Sequence, residues 1–169
     1  MWLVEELVSR GRPTTLAGHS LGAALAIAAA ADRPDLVERL ILLSPAGLPL
    51  SKPMHASLAL TLKQVAQGLY PPREVVATLG ETIKHPRAMH RLSREAHDLD
   101  LRAEMTHVAA AAIPAHVIAG ADDTLTTPAI CRTIASILDC SYEQIDGAGH
   151  MWMLTDPARL RGVLDEPLR

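Results

Sequence analysis

The sequence predicts an α/β chain: a parallel sheet of about four strands flanked by helices, with a helical insertion after the second strand. Three observations predict it. Residues 40–43 and 115–119 are short, continuously apolar runs, the pattern of strands buried on both faces. Such runs alternate with helix-prone stretches, the order that builds parallel sheets. A Gly-, Pro- or Asp-containing turn follows each run, at the carboxyl strand ends where such sheets place their chemistry.

The chain has 169 residues, within the range of one domain. Hydrophobic residues make up 49% and charged residues 21%, a globular rather than disordered balance. Aromatic residues are 2% and Phe is absent, so the core must come from Ala, Leu, Val and Ile. The runs 23–31 and 109–112 show how far Ala carries it. A net charge of -3 gives no electrostatic reason to expect nucleic acid or an anionic membrane as partner. Cys131 and Cys140 suit a reducing compartment and read as buried apolar residues or free thiols. No run approaches the roughly 18 apolar residues that span a bilayer. Glu5 and Glu6 break any signal-peptide pattern in residues 1–12, so a cytoplasmic location is expected.

Taken in order, Trp2, Leu3, Val4, Leu7 and Val8 predict a short helix over residues 2–10, ended by Gly11 and Pro13. Residues 14–17 are a short β-prone run. Gly18-His19-Ser20-Leu21-Gly22 follows, then an Ala-rich helix to about residue 31, broken by Pro34 and Asp35. The strand 40–43 ends at Ser44-Pro45. From residue 47 to 107 the character changes: Pro49, Pro53, Pro71, Pro72 and Pro86 separate helical segments at 58–69, 73–83 and within 87–104, with no strand. The strand 115–119 ends at Gly120. Pro128 opens a helix to residue 138, at a typical first-turn position. Residues 141–145 form a fourth short strand, Gly147, Gly149 and His150 follow, and 157–164 is a last helix. Residues 1–46 and 108–169 therefore read as the core, and 47–107 as the insertion.

Gly18-His19-Ser20-Leu21-Gly22 matches G-x-S-x-G, a nucleophile elbow. Its serine sits on a sharp strand-to-helix turn, and Gly18 and Gly22 are expected to let that turn close. Leu21 then starts the helix, where its backbone N–H can face a developing oxyanion. A serine hydroxyl needs a base, and the base needs a third group to orient it. Gly120-Ala121-Asp122-Asp123 and Gly147-Ala148-Gly149-His150 supply an acid and a histidine at later strand ends. The order Ser, Asp, His suits such a sheet. His19 is expected to tune packing around the elbow. His55, His85, His90, His97, His107 and His116 show no paired metal spacing, so no zinc site is expected. Met151, Trp152 and Met153 are expected to line the pocket or pack the turn.

With these motifs the chain resembles the α/β-hydrolase superfamily, in its cap-bearing branch. The resemblance runs from Thr14 to near the end of the sequence. It rests on the elbow, on Gly120-Ala121-Asp122-Asp123 with Pro128, and on Gly147-Ala148-Gly149-His150 with Asp156-Pro157. It implies Ser20 as nucleophile, His150 as base and Asp123, rather than Asp122, as acid. It implies an acyl-enzyme route on a small-molecule ester or similar acyl substrate, without cofactor, and makes 47–107 the helical cap. Serine at the elbow disfavours the family's aspartate-dependent epoxide hydrolases and haloalkane dehalogenases. Esterases, lipases, C–C bond hydrolases, peptidases and cofactor-free haloperoxidases remain open. Only 13 residues precede Thr14, so the family's earlier strands and the His-Gly turn that gives a second oxyanion donor have no counterpart. The elbow strand is then an exposed edge where a partner chain could add, and the chain alone is expected to be weakly active or inactive. A degenerate half acting only as an interaction module is the competing expectation.

Overall fold

A computed structural model of the chain describes residues 2–50, 63, 65–69 and 71–165. Four strands, β1 (Thr14–His19), β2 (Val37–Leu43), β3 (Ala115–Gly120) and β4 (Ser141–Ile145), form one sheet in the order β1-β2-β3-β4. Every neighbouring pair is parallel, with Leu16 beside Leu40, Leu42 beside Val117 and Ile118 beside Glu143. The expected α/β class, parallel sheet and strand number all hold.

β1, β2 and β3 are each a little longer than the runs that predict them, while β4 has the predicted bounds. β2 begins at Val37 and so includes Glu38 and Arg39, which lie less buried at its start. The run 40–43 then delivers side chains to both faces by the two-residue period of a strand. Leu40 and Leu42 join a core with Val117 and Ala119. Ile41 and Leu43 join a second core with Ile118, Ile145, Trp152 and Met153 on the other face. β4 is different. Only its Ile145 is buried, because it is the outer strand on that side.

Helices cover both faces. α1 (Trp2–Arg10) buries Leu7 and leaves Trp2 exposed. α2 (Leu21–Asp32) follows the elbow and buries Ala23, Ala24, Ala26, Ile27, Ala29 and Ala30. A helix buried on so much of its surface needs small side chains to come close to its neighbours, which is what the Ala run supplies. A 3₁₀ turn at Pro34–Leu36 leads into β2. In the insertion, α3 (Pro72–Lys84) and α4 (Pro86–His97) bury no residue, and no strand occurs there among the described residues. Of the helix expected at 58–69, residues 63, 65 and 66 are helical and 67–69 turn out of it, with Gln67 N–H donating to Lys63 O at 3.0 Å; the other residues lie outside the described ones. α5 (Arg102–Ala110) runs across residue 107, packs on α2 and buries Met105 and Val108 in the first core.

The two ends of the insertion are tied together. Leu50 N–H donates to His97 O at 3.0 Å, and Leu101 N–H donates to Gly47 O at 2.8 Å. Gly47 has φ 146, a backbone conformation that favours glycine, while a Cβ there would lie 2.7 Å from Met105 Cε, the far end of a flexible side chain that can give way. α6 (Pro128–Ile137) buries Cys131, Ile134 and Ala135, with Pro128 at its start as predicted. α7 (Trp152–Thr155) and α8 (Pro157–Asp165) close the chain on the second core.

The elbow glycines separate into two roles. A Cβ on Gly18 would lie 2.6 Å from Gly22 O and 2.7 Å from both Ala23 Cα and Ala23 N, all backbone atoms that cannot step aside. A Cβ on Gly22 would meet nothing within 4 Å, so the expected steric need for glycine there does not hold. Gly18→Ala should therefore cost roughly 1–3 kcal/mol of stability, as overpacking does. Gly22→Ala should change it by less than about 1 kcal/mol, since Ala also favours the helix. Urea unfolding midpoints check both, and equal losses would contradict the geometry.

Candidate active site

All four strands point their carboxyl ends to one rim. Ser20 follows β1, Ser44 follows β2, the Gly120–Asp123 turn follows β3, and the loop ending at His150 follows β4. The rim gathers the residues that the sequence scatters over 131 positions.

Ser20 has φ 52 and ψ -118, a backbone conformation that an L-residue adopts at a cost of about 1–3 kcal/mol. The surroundings hold it there. Its N–H donates to Leu43 O at 3.0 Å, and its carbonyl accepts from Ala23, Ala24 and Ala46 N–H at 3.1, 3.3 and 3.0 Å. Its side chain stands at the N-terminus of α2. Leu21 N–H is the first amide of that helix and has no intrahelical acceptor, so it is free to meet negative charge near Ser20.

Asp123 and His150 are brought into direct contact. His150 Nδ1–H donates to Asp123 Oδ2 at 2.8 Å, and both side chains are buried. A carboxylate accepts only, so the ring must carry its proton on Nδ1, which leaves Nε2 as the basic nitrogen. The Asp123 turn is preorganised. Oδ1 accepts Leu125 N–H at 2.8 Å and Thr126 N–H at 3.0 Å. Burial alone would raise the Asp123 pKa. The hydrogen bond and charge of His150, the Leu125 amide and the Thr126 hydroxyl outweigh it and hold the carboxyl below its usual range.

Thr126 is the residue that the sequence reading missed. Its hydroxyl is buried, 2.9 Å from Asp123 Oδ2, 3.0 Å from Ser44 O and 3.2 Å from His150 Nδ1. It joins the β2 end to Asp123 and His150. Thr124, Thr126 and Thr127 look alike in the sequence. The distinguishing signal is the spacing: an Asp side chain commonly binds amides two and three residues on, which places Thr126 beside its own carboxylate.

Ser20 reaches the pair through its neighbour. His19 Nε2–H donates to His150 O at 3.0 Å, and the two rings lie 4.7 Å apart between centroids, tilted by 51°. No hydrogen bond joins the Ser20 hydroxyl to the His150 ring among the described residues. Asp122 is exposed, unlike the buried Asp123. Its amide donates to Ala148 O at 2.9 Å, and it lines a cavity of about 480 Å³ with Lys63, Gln67, Leu69 and Thr124. Asp123 borders the same cavity, whereas Ser20 and His150 do not. Trp152 packs the second core, while Met151 is partly exposed beside His150. Trp152, expected to line the pocket or pack the turn, is buried in the second core. Gly120 is required at the acid turn: a Cβ there would collide with Ala148 O and come within 2.7 Å of Gly149 O.

No group of three or more metal-ligating side chains occurs among the described residues. No helix there is long and apolar enough to cross a membrane.

Burial, and next the charge of His150, push the His19 pKa from its ordinary 6.5 down to about 4, against the opposing pull of the His150 carbonyl and Asp123. Between those values the unfolded chain takes up a proton that the folded chain refuses. Stability therefore falls as pH falls from about 6.5 to about 4. The thermal midpoint should drop across that window, and His19→Gln should flatten the drop. An unchanged pH slope in the variant would contradict this account.

Residues 2–163 match the model of a family described as the alpha/beta hydrolase family. No curated protein sequence matches the chain. Among solved structures, it resembles a serine hydrolase involved in carbazole degradation, with TM-score 0.68 and 20% identity over 90% of this chain and 62% of that one. It also resembles an N-formylmaleamic acid deformylase from Pseudomonas putida S16, with TM-score 0.68 and 18% identity over 97% of this chain and 70% of the other. A lipase-esterase related protein from Clostridium acetobutylicum matches with TM-score 0.65 and 16% identity, over 90% and 65%. The chain thus spans about two thirds of the length of these structures. Likeness at these identities concerns the fold, while the family match covers nearly every residue: the chain belongs to the alpha/beta hydrolase family.

Proposed function

We propose that this chain is a serine hydrolase that cleaves an ester or related acyl bond through Ser20, His150 and Asp123. One observation carries the reading: a buried, oriented imidazole–carboxylate pair at the strand ends, with the ring of His150 set against the elbow that holds Ser20. A base whose Nδ1 is committed to a carboxylate has its Nε2 available to take a serine proton.

The steps follow from those roles. Ser20 Oγ attacks the substrate carbonyl carbon while His150 Nε2 takes the hydroxyl proton. Leu21 N–H, at the start of α2, stabilises the oxyanion. His150 returns its proton to the leaving group, which departs as an alcohol or amine and leaves an acyl-Ser20 ester. Water then attacks that ester with His150 as base, releasing the acid and restoring Ser20. Asp123 stays ionised and compensates the imidazolium. No cofactor takes part in these steps. Residues 47–107 serve as a cap over the substrate, with Met151 at the pocket side of His150.

The neighbouring structures include hydrolases by their names, which supports the reaction class, and esterase chemistry is the simplest member of it. Cys131 and Cys140 are free, which supports a reducing, cytoplasmic setting. β1 is an outer strand of the sheet, and we place a partner chain at its open edge.

A fluorophosphonate probe should label the chain at Ser20, and Ser20→Ala should abolish labelling. A folded sample that takes no label would favour a non-catalytic module instead. Asp123→Asn should slow labelling by roughly 10³–10⁴-fold, because it loses the tautomer control that the carboxylate gives. Thr126→Val should slow it by about tenfold, the value of one or two hydrogen bonds in a barrier. Mass spectrometry of the labelled peptide, followed over time, reads all three.

A further inference from the structure

The nucleophile and the base stand on the two outer strands of the sheet. β1 carries Ser20 and β4 carries His150, with β2 and β3 between them. At about 4.8 Å per strand, the outer strands lie roughly 14 Å apart, so the loop after β4 must reach across the rim to serve Ser20. Asp123 and Thr126 hold the imidazole from the β3 side. On the β1 side, the hydrogen bond from His19 Nε2 to His150 O is the side-chain tie to the base loop among the described residues.

The chemistry of that bond is unambiguous. A main-chain carbonyl only accepts, so His19 must carry its proton on Nε2. Its two ends are well chosen. One is the residue immediately before the nucleophile, and the other is the main chain of the base itself. The His19 and His150 rings also touch, at 4.7 Å between centroids. A neutral ring there fills the gap without placing positive charge beside the imidazolium that forms in the reaction.

We infer that His19 is a positioning residue that latches the base loop to the elbow, so that His150 Nε2 stays within reach of the Ser20 hydroxyl. The inference rests on the Ser20–His150 reading above. It goes beyond that reading by giving the second residue of the elbow a defined task, through one donor atom and one acceptor atom.

The test compares His19→Gln, whose amide can donate from the same reach, with His19→Met, which has similar length and no donor. His19→Phe replaces the Met variant should that one fail to fold. Two measurements are made on each. The first is the solvent exchange of the His150 Nδ1 proton by NMR, which needs no activity. The second is the maximal labelling rate of Ser20 by a fluorophosphonate, separated from the probe concentration at half-saturation. His19→Met should speed exchange and slow maximal labelling by about tenfold or more, as small misplacements do, with half-saturation little changed. His19→Gln should stay within about threefold of the parent in both. Parent-like exchange in His19→Met, or equal damage in the Gln and Met variants, would overturn the latch. A parent chain that takes no label would instead overturn the Ser20 reading, while the NMR comparison still decides the latch.

Discussion

The strand-end rim depends on one constraint: groups that follow four separate strands are linked to one another while the sheet keeps its outer strands far apart. Parallel pairing aligns all four carboxyl ends, which brings the loops to the same side. It does not bring them together. Convergence comes from hydrogen bonds that run along the rim, part-buried from the elbow to His150 and buried from His150 to Asp123 and from Thr126 back to the β2 end at Ser44. Each link is charged or polar and largely sheltered from water, where such bonds are stronger and costlier to leave unmade.

The acid turn shows why the arrangement is stable as well as convergent. A buried carboxylate is expensive without partners. Asp123 has four hydrogen bonds to four donor atoms, two amides on Oδ1 and two side-chain donors on Oδ2. Thr126 contributes two of those donors. Its hydroxyl has one proton and faces two acceptors, Asp123 Oδ2 and Ser44 O. It can therefore follow changes in charge on the pair by turning between them. Gly120 lets the base loop sit directly on the acid turn, with Ala148 O accepting from Asp122 N–H.

Much of this was legible in the sequence, and the reason is physical. Leu40–Leu43 and residues 115–119 are buried on both faces, so their apolar runs were unbroken and their strands stood out. The glycines and the order Ser20, Asp123, His150 marked the strand ends. β4 was legible over its full length, Ser141–Ile145, although as an outer strand it buries only Ile145. The need for glycine at position 22 was overread from the motif, since only Gly18 faces backbone across the turn. Thr126 and the Nε2 bond of His19 were hidden for a different reason. The bonds of Thr126 to Ser44 O and of His19 to His150 O reach main-chain atoms distant in sequence, which no local spacing encodes; only the link of Thr126 to Asp123 follows from spacing.

The two tryptophans of this nearly aromatic-free chain occupy opposite environments. Trp2 is 74% exposed on the first helix, and Trp152 is 1% exposed, two residues from His150 in the second core. Emission from the native chain is therefore a sum of one wet and one dry indole. With Trp2 replaced, the remaining fluorescence would become a private optical channel into the second core and the loop that packs on it.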